Sequence, residues 1–290
     1  MDTGKLGVWY FFDNLSSPEA AAAAQRIEGM GYGTLWIPET VGKSPVALSS
    51  WLLANTETLN LATGIINIYH REPGVTAAAQ LSLAEQSGGR FLLGMGVSHK
   101  PLVEGVRGLE YGPPLATMRT YLEKMAASPY TGIKPDDAPP TVIAALGPKM
   151  LELAASATTG AHPYFTDPEH TRMAREVMGP DAWLCVEQKV ILEADPVKAR
   201  AVAKPVAQIY NSLPNYRNNW LRMGLTEDDI DNLSDRFIDT TFAWGSVDDI
   251  RDRIQAHLDA GASHVCIQPV HPDGNFGELH WACLQALAPA

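Results

Sequence analysis

The chain has 290 residues, of which 46% are hydrophobic and 19% are charged, and its formal net charge at pH 7 is -11. The acidic excess argues against a nucleic-acid-binding surface, and the apolar runs are too short to span a membrane. The N-terminus also lacks the features of a signal peptide, so we predict a cytoplasmic protein of globular composition.

Helix signals recur along the chain. The first helix is predicted to have Ser17 as its N-cap, with Pro18 at the first helical position. A later helix is predicted to begin near Pro73 and to stop at a pair of glycines. Near the C-terminus, Ser246 is the predicted N-cap of a helix that carries Asp249 at the capping-box position.

Apolar, strand-like runs alternate with these helices. They lie at residues 6–11, 33–38, 60–66, 91–96, 141–146, 159–163, 183–192 and 263–269. Several are apolar along most of their length, as parallel strands covered by helices should be. Eight such strands predict an α/β fold, a (β/α)8 or TIM barrel that forms a single domain over residues 1–290. An open doubly wound sheet is the alternative.

The segment 212–245 is predicted to be a helical insertion before the last helix–strand pair. Its position between barrel elements suits a lid or a partner surface.

The stretch GGRFLLGMGVSHKP, residues 88–101, joins a predicted strand to the pattern Gly-Met-Gly. A dinucleotide-binding fingerprint needs a third glycine three residues later, where this chain has His99, so that interpretation is weak. Gly94 and Gly96 either permit close strand packing or let a ligand approach the backbone. We favour the ligand, because both glycines lie at the carboxyl end of the strand.

In such a barrel the reactive residues lie at the carboxyl ends of the strands. Glu39 follows the second strand and His99 follows the fourth, although each could equally be a solvent-facing loop residue. The other residues at these ends are mainly apolar, which suits a flat heteroaromatic ligand. Cys185 and Cys266 lie in strand-like runs and are predicted to be buried free thiols, and no motif for a metal site is present.

These segments together resemble the luciferase-like family, the bacterial luciferase superfamily of flavin and deazaflavin oxidoreductases. The similarity is densest over residues 61–98, and residues 142–165 and 245–265 extend it over most of the chain. The segments HPYFTDPEHT and LPNYRNNWLRMGLTEDDI resemble the subgroup that depends on coenzyme F420, a 5-deazaflavin. The resemblance therefore implies F420 as the cofactor, with FMN as the alternative.

The resemblance also implies which residues hold the cofactor. A bulge with a non-prolyl cis peptide falls on Gly64–Ile65, and Asn67 is placed to reach the edge of the ring. Glu39 stands where these enzymes carry an acidic residue, and Val97 and Ser98 would contact the ring. The phosphate-bearing tail would lie at the start of the next helix, against Ala145, Leu146, Gly147 and Lys149.

The implied reaction moves a hydride between C5 of F420 and a small organic substrate. A proton must accompany the hydride, and His99 and Glu39 are the candidate catalytic groups. Thr40 stands where some relatives have a histidine and could donate a hydrogen bond to the substrate. Phe11 and Tyr164 would shape the substrate slot.

Two other functions remain open: an FMN-dependent monooxygenase that uses reduced flavin and oxygen, and an F420-binding protein without catalysis. The expected partners are a small-molecule substrate and a second copy of the chain, with no nucleic acid, membrane or metal. Segments 75–86 and 114–127 are the candidate dimer interface. The candidate basic residues for the polyglutamate tail of F420 are Lys43, Arg71, Lys100 and Lys149.

Overall fold

The structure is a computed structural model that describes residues 1–273 and 278–289, and its strands are all parallel to their neighbours. The strands are β1 (Leu6–Trp9), β2 (Thr34–Ile37), β3 (Asn60–Thr63), β4 (Ile66–Asn67), β5 (Phe91–Gly96), β6 (Thr141–Ile143), β7 (Gly160–Ala161), β8 (Trp183–Ile191), β9 (Phe242–Trp244) and β10 (His264–Pro269).

Eight of these strands form a closed ring. The order around the ring is β10-β1-β2-β3-β5-β6-β7-β8, and the pairing of β10 with β8 closes it. Strand β4 pairs with β5, and β9 pairs with the end of β8. A closed ring of eight parallel strands with helices between them is a TIM barrel, so the predicted α/β fold class is confirmed.

Helices connect the strands. They are α1 (Ser17–Gly29), α2 (Pro45–Ala54), α3 (Pro73–Gln86), α4 (Pro114–Ala127), α5 (Pro148–Ala157), α6 (Pro168–Met178), α7 (Pro196–Gln208), α8 (Pro214–Arg222), α9 (Glu227–Asn232), α10 (Asp235–Thr241), α11 (Val247–Asp259) and α12 (Trp281–Leu287), with a 3₁₀ turn at Ile68–His70 and a π-helical turn at Pro101–Val106. None of the helices in the described part of the chain is long and apolar enough to cross a membrane.

The helix starts follow local capping chemistry. The predicted cap of α11 is confirmed, because Ser246 and Asp249 form a reciprocal capping box. The predicted cap of α1 is wrong by one residue: Ser16 is the N-cap, and its backbone is extended while Ser17 is already helical. Proline is tolerated at either of the first two helical positions, so Pro18 alone could not separate the two serines.

Two segments depart from the predicted pattern. The predicted strand 60–66 breaks after Thr63 and resumes as β4, so it is two strands. The segment 212–245 is a helical insertion, as predicted: it contains the helices α8, α9 and α10, and near its end lies the strand β9, which the sequence did not indicate. Strand β9 has only three residues, and such a short apolar run carries little periodicity. We refer to residues 209–241 as the insertion.

The barrel strands bury both of their faces. Residues such as Leu35 and Val186 belong to the core between the strands and the surrounding helices. Their neighbours on the other face, such as Trp36 and Cys185, belong to a second core inside the barrel, which continues under the insertion. This double burial explains why the strands read as continuous apolar runs.

The three cysteines, Cys185, Cys266 and Cys283, are free and buried, which confirms the prediction made for the first two. Burial raises the pKa of the Cys185 and Cys283 thiols to about 12, and it raises that of Cys266 as well. These thiols therefore behave as small apolar side chains.

The Gly-Met-Gly glycines of β5 serve strand packing, so the preference for ligand approach was wrong. A Cβ atom on Gly94 would lie only 1.8 Å from the Thr63 carbonyl oxygen of β3. A Cβ atom on Gly96 would lie 2.8 Å from the side chain of Ile65 and 3.2 Å from that of Ala144. Protein atoms thus occupy the space that these glycines leave.

We predict that Gly94→Ala lowers the free energy of unfolding by about 2 kcal/mol or more, because β3 and β5 must separate to admit the new methyl group. Denaturant unfolding followed by circular dichroism would measure this loss. Gly29→Ala is the matched control, since nothing lies within 4 Å of its Cβ position near the end of α1. Equal stability of the two variants would contradict the packing explanation.

Candidate active site

The barrel mouth is the edge of the ring at which the parallel strands have their carboxyl ends. Between β3 and β4 the chain forms a bulge at this edge, and its Gly64–Ile65 peptide bond is cis, as predicted. The Trp9 indole N–H donates to the Gly64 carbonyl oxygen at 2.9 Å. The Glu39 backbone N–H donates to the Ile65 carbonyl oxygen at 3.1 Å. Residues that follow β2 and end β1 therefore hold the bulge.

The Glu39 carboxylate binds the other end of the same bulge. It accepts the Asn67 backbone N–H at 2.7 Å and two hydrogen bonds from the Arg71 guanidinium, at 2.7 and 2.8 Å. His70 Nδ1 lies 3.3 Å away. Burial acts to raise the pKa of Glu39, but the hydrogen bonds from Arg71 and Asn67 outweigh it, and the pKa lies below its usual value. Glu39 is therefore ionised at neutral pH and is a poor proton donor.

The Asn67 side chain also has local partners. Its Oδ1 accepts the Tyr69 backbone N–H at 3.0 Å, and its Nδ2 lies 3.0 Å from His70 Nε2. Because an amide nitrogen only donates, His70 Nε2 accepts, and the ring hydrogen lies on Nδ1, which faces Glu39. The segment from Asn67 to Arg71 thus forms one connected polar cluster with Glu39.

Thr40 lies in the loop after β2, and its hydroxyl bonds both within that loop and to the loop after β1. It donates to Asp13 Oδ2 at 2.6 Å and accepts the Gly42 backbone N–H at 3.0 Å. Asp13 Oδ1 in turn accepts the Lys43 backbone N–H at 2.7 Å. The hydroxyl hydrogen that would serve a substrate is committed to Asp13.

Val97, Ser98 and His99 follow β5 at the barrel mouth. Val97 packs against the core between strands and helices. Ser98 has a φ of 56°, in the left-handed region, and its carbonyl oxygen accepts the Tyr111 hydroxyl at 3.2 Å. His99 Nδ1 lies 3.1 Å from Asn215 Oδ1 at the start of α8. Burial lowers the pKa of His99, so its imidazole is mainly neutral at pH 7.

The turn between β6 and α5 is the predicted phosphate site. Ala145 is buried, Leu146 and Gly147 are half-buried, and Lys149 is exposed. Gly147 is the N-cap of α5 and has no side chain to cap it. In the described part of the chain, the backbone N–H groups of Leu146, Gly147 and Lys149 have no hydrogen-bond partner. An Arg222 guanidinium nitrogen of α8 lies 3.5 Å from the Cβ position of Gly147. Donors and positive charge therefore meet at this turn.

Arg222 carries a charge without an acidic partner among the described residues. It donates to Asn219 Oδ1 at 3.0 Å, and burial alone lowers its pKa. Of the other candidate cations, Arg71 is bound to Glu39, and Lys100 lies 3.7 Å from Glu104.

An aromatic wall lines one side of the barrel mouth and includes both predicted substrate residues. Ring centroids are 4.9 Å apart between Phe11 and Trp9, 5.2 Å between Trp9 and Tyr164, and 6.0 Å between Tyr164 and Tyr216. The Tyr216 ring lies 5.4 Å from that of His99. The wall thus runs from the end of β1 to the loop after β5, with a ring of the insertion between them.

A buried ion pair lies behind this wall and was missed at the sequence level. Lys189 Nζ is 3.2 and 3.3 Å from the Glu187 carboxylate oxygens, and both side chains are fully buried. The ammonium lies 3.7 Å from the ring centroid of Tyr164 and 3.8 Å from that of Phe165. Burial lowers the pKa of Lys189 to about 8, against the raising effect of Glu187. The pair holds the wall in place, since Glu187 also accepts the Phe165 backbone N–H at 2.9 Å.

One sequence signal could have revealed this pair. In the run WLCVEQKVI two opposite charges stand two residues apart within an apolar strand. Side chains two apart lie on one face of a strand, and a buried charge needs a partner. Asn215 and Arg222 carried no comparable signal, because tertiary packing brings both of them to the mouth.

Comparison with known proteins identifies a matching family and relatives of similar length. The family described as luciferase-like monooxygenase matches residues 5–264. A Mycobacterium tuberculosis protein with the provisional name coenzyme F420-dependent oxidoreductase is 26% identical, over 91% of this chain and 93% of that protein. The 5,10-methylenetetrahydromethanopterin reductase of Archaeoglobus fulgidus is 28% identical, over 93% of this chain and 95% of that protein.

A solved structure shares the fold. It is an F420-dependent secondary alcohol dehydrogenase in complex with an F420-acetone adduct, with a TM-score of 0.75, 16% sequence identity and coverage of 99% of both chains.

We predict that Lys189→Met lowers the free energy of unfolding by about 3–5 kcal/mol, because Glu187 stays behind as an uncompensated buried charge. The double variant Lys189→Met/Glu187→Gln should recover most of that loss, since the glutamine oxygen can still accept the Phe165 N–H. Denaturant unfolding of both variants would measure the difference. A double variant no more stable than the single one would contradict the role given to the pair.

Proposed function

This chain belongs to the luciferase-like monooxygenase family, and on that premise we propose that it is an oxidoreductase that transfers a hydride between coenzyme F420 and a small organic substrate. The observation that carries the proposal is the similarity to the mycobacterial F420-dependent oxidoreductase, which extends over more than nine-tenths of both chains. The A. fulgidus relative is also named as a reductase.

The residues at the barrel mouth fit such a cofactor. The phosphate-bearing tail would be held at the β6–α5 turn by Ala145, Leu146, Gly147 and Lys149, where free backbone N–H groups and the Arg222 charge favour an anion. The ring would be held beside this turn, at the ends of β3, β4 and β5, by Gly64, Ile65, Asn67, Val97 and Ser98, with Glu39 behind the bulge. When bound, F420 supplies a carbon centre that accepts or donates a hydride.

The chain's own residues supply position and proton transfer. The ionised Glu39 holds the bulge through Asn67 and Arg71. His99 is the group that exchanges a proton with the substrate, because its imidazole is not bound to an acid. Phe11 and Tyr164 shape the substrate slot and exclude water, and Thr40 orders the loop at its rim.

The alternative is an FMN-dependent monooxygenase that uses reduced flavin and oxygen, and the description of the matching family favours it. Binding of F420 without catalysis is the third candidate function. Oxygen consumption with reduced FMN would mark the monooxygenase, and tight F420 binding with no turnover would mark the binding protein.

The assembly is part of the proposal. The chain would act as one barrel domain over residues 1–290, in the cytoplasm, as a homodimer that binds neither nucleic acid nor membrane. The candidate interface comprises α3 and α4, which contact each other, and the Val75 side chain on α3 is 58% exposed. Exposed apolar side chains of this kind suit burial against a second copy.

We predict saturable binding of F420 in a fluorescence titration of the purified protein, at least tenfold tighter than binding of FMN. A tenfold difference corresponds to about 1.4 kcal/mol of binding free energy. Tighter binding of FMN would favour the monooxygenase instead, and featureless titrations with both compounds would contradict either assignment.

We predict that Arg222→Ala weakens F420 binding by about tenfold to a hundredfold, because a charge-assisted hydrogen bond to the phosphate contributes roughly 1.5–3 kcal/mol. Arg236→Ala is the matched control, since Arg236 is also an arginine of the insertion but is paired with Asp229 at 3.1 Å. The same titration would compare them. If both variants bind as the native chain does, the β6–α5 turn does not hold the phosphate.

We predict that His99→Ala lowers kcat by about a hundredfold, because proton transfer by a positioned side chain contributes on that scale. Binding of F420 should stay within about twofold of the native value, which the fluorescence titration would verify. Steady-state turnover of a substrate found in an F420 screen is the measurement. Unchanged turnover would show that His99 is not a catalytic residue.

A further inference from the structure

The hydrogen bond between His99 and the insertion fixes the form of the imidazole. Asn215 Oδ1 lies 3.1 Å from His99 Nδ1. An amide oxygen can only accept, so the Nδ1 atom carries the hydrogen. In a neutral imidazole this leaves a lone pair on Nε2, for which no partner is found within residues 1–273 and 278–289.

We propose that Asn215 is a positioning residue that makes His99 Nε2 the acceptor of a proton from a substrate hydroxyl group. The proposal rests on the proposed function. The substrate C–H bond breaks, and its hydrogen leaves with the electron pair for the oxidised deazaflavin. The O–H bond breaks, its proton moves to Nε2, and its electron pair becomes the second bond of the product carbonyl. The resulting imidazolium keeps its Nδ1–H bond to the Asn215 oxygen.

The surroundings of His99 favour the neutral, proton-accepting form. Burial lowers the pKa of His99, and the Tyr216 ring of α8 packs against it at 5.4 Å. The charged residues of its own segment, Lys100 and Glu104, pair with each other at 3.7 Å. No nearby charge shifts the pKa of His99, so burial and the Asn215 bond set its state. The arrangement follows the logic of a base oriented by a second side chain.

Nuclear magnetic resonance on protein labelled in its histidine rings tests the positioning without any cofactor. His99→Gln identifies the His99 signals. The native chain should show hydrogen on Nδ1 and a pKa below that of free histidine. In Asn215→Ala the preference for Nδ1 should be lost. In Asn215→Asp it should persist, and the pKa should rise by about one unit or more, because a carboxylate stabilises the imidazolium.

Steady-state kinetics then tests the role of Asn215 in turnover. A base must be unprotonated, so the rate falls at low pH through the pKa of His99, and a raised pKa moves this fall to higher pH. Asn215→Asp should therefore shift the acidic limb of the kcat profile upward by the same amount as the pKa. Asn215→Ala should lower kcat by about tenfold with KM within about twofold.

The matched control is Asn218→Ala, an exposed asparagine of the same helix, which should change neither readout. An unchanged tautomer and an unshifted pH profile in both Asn215 variants would overturn the proposal. If the resonance results hold but F420 does not bind, the positioning of His99 stands while the proposed function and the substrate assignment fall. If F420-dependent turnover occurs with no effect of Asn215→Ala, only the role of Asn215 falls.

Discussion

The barrel mouth depends on one buried carboxylate. The side-chain oxygens of Glu39 accept hydrogen bonds from Asn67 and Arg71, and its backbone N–H donates to the Ile65 carbonyl oxygen. A single residue after β2 therefore holds the bulge at both ends. A buried carboxylate needs such donors, because an unpaired charge would cost several kcal/mol. Since the donors come from the chain itself, the bulge needs no other partner to hold it. In the proposed function it would present a preorganised surface to the cofactor ring.

The pairing of charged side chains also determines the electrostatic field at the barrel mouth. The chain carries 33 acidic and 22 basic residues, so its overall field repels anions. At the mouth, the charges of Arg71 and Lys189 are each neutralised by a neighbouring glutamate. Arg222 has no such partner in the described part of the chain, and it lies beside the uncapped start of α5. The turn before α5 is therefore a place where local positive charge can attract an anion to an otherwise acidic molecule.

The fold could be predicted from sequence because it depends on local patterns. Buried parallel strands give continuous apolar runs, and capped helices give serine and acidic residues at fixed spacing, as at Ser246 and Asp249. The features that the sequence did not predict correctly are those that local patterns do not determine. Strand β9 is too short to show a period, and the role of Gly94 depends on how closely β3 approaches β5.

The candidate site was predictable only as a set of positions along the strands. The rule on strand ends selected Glu39 and His99, and the resemblance placed the bulge at Gly64–Ile65. What each side chain contacts could not follow from the sequence, because the partners come from distant segments: Arg71 is 32 residues from Glu39, and Asn215 is 116 residues from His99. The environment of a group decides its chemistry, and here that environment is tertiary.

The burial of all three cysteines makes the protein suitable for selective labelling at an introduced cysteine. Maleimide and similar probes react with thiolates, and the raised pKa values and burial of Cys185, Cys266 and Cys283 leave these thiols unreactive. A single cysteine introduced at an exposed position of α8 would then carry a fluorophore or spin label without removal of the native residues. Movement of the insertion relative to the barrel can thus be followed in solution in an otherwise unaltered chain.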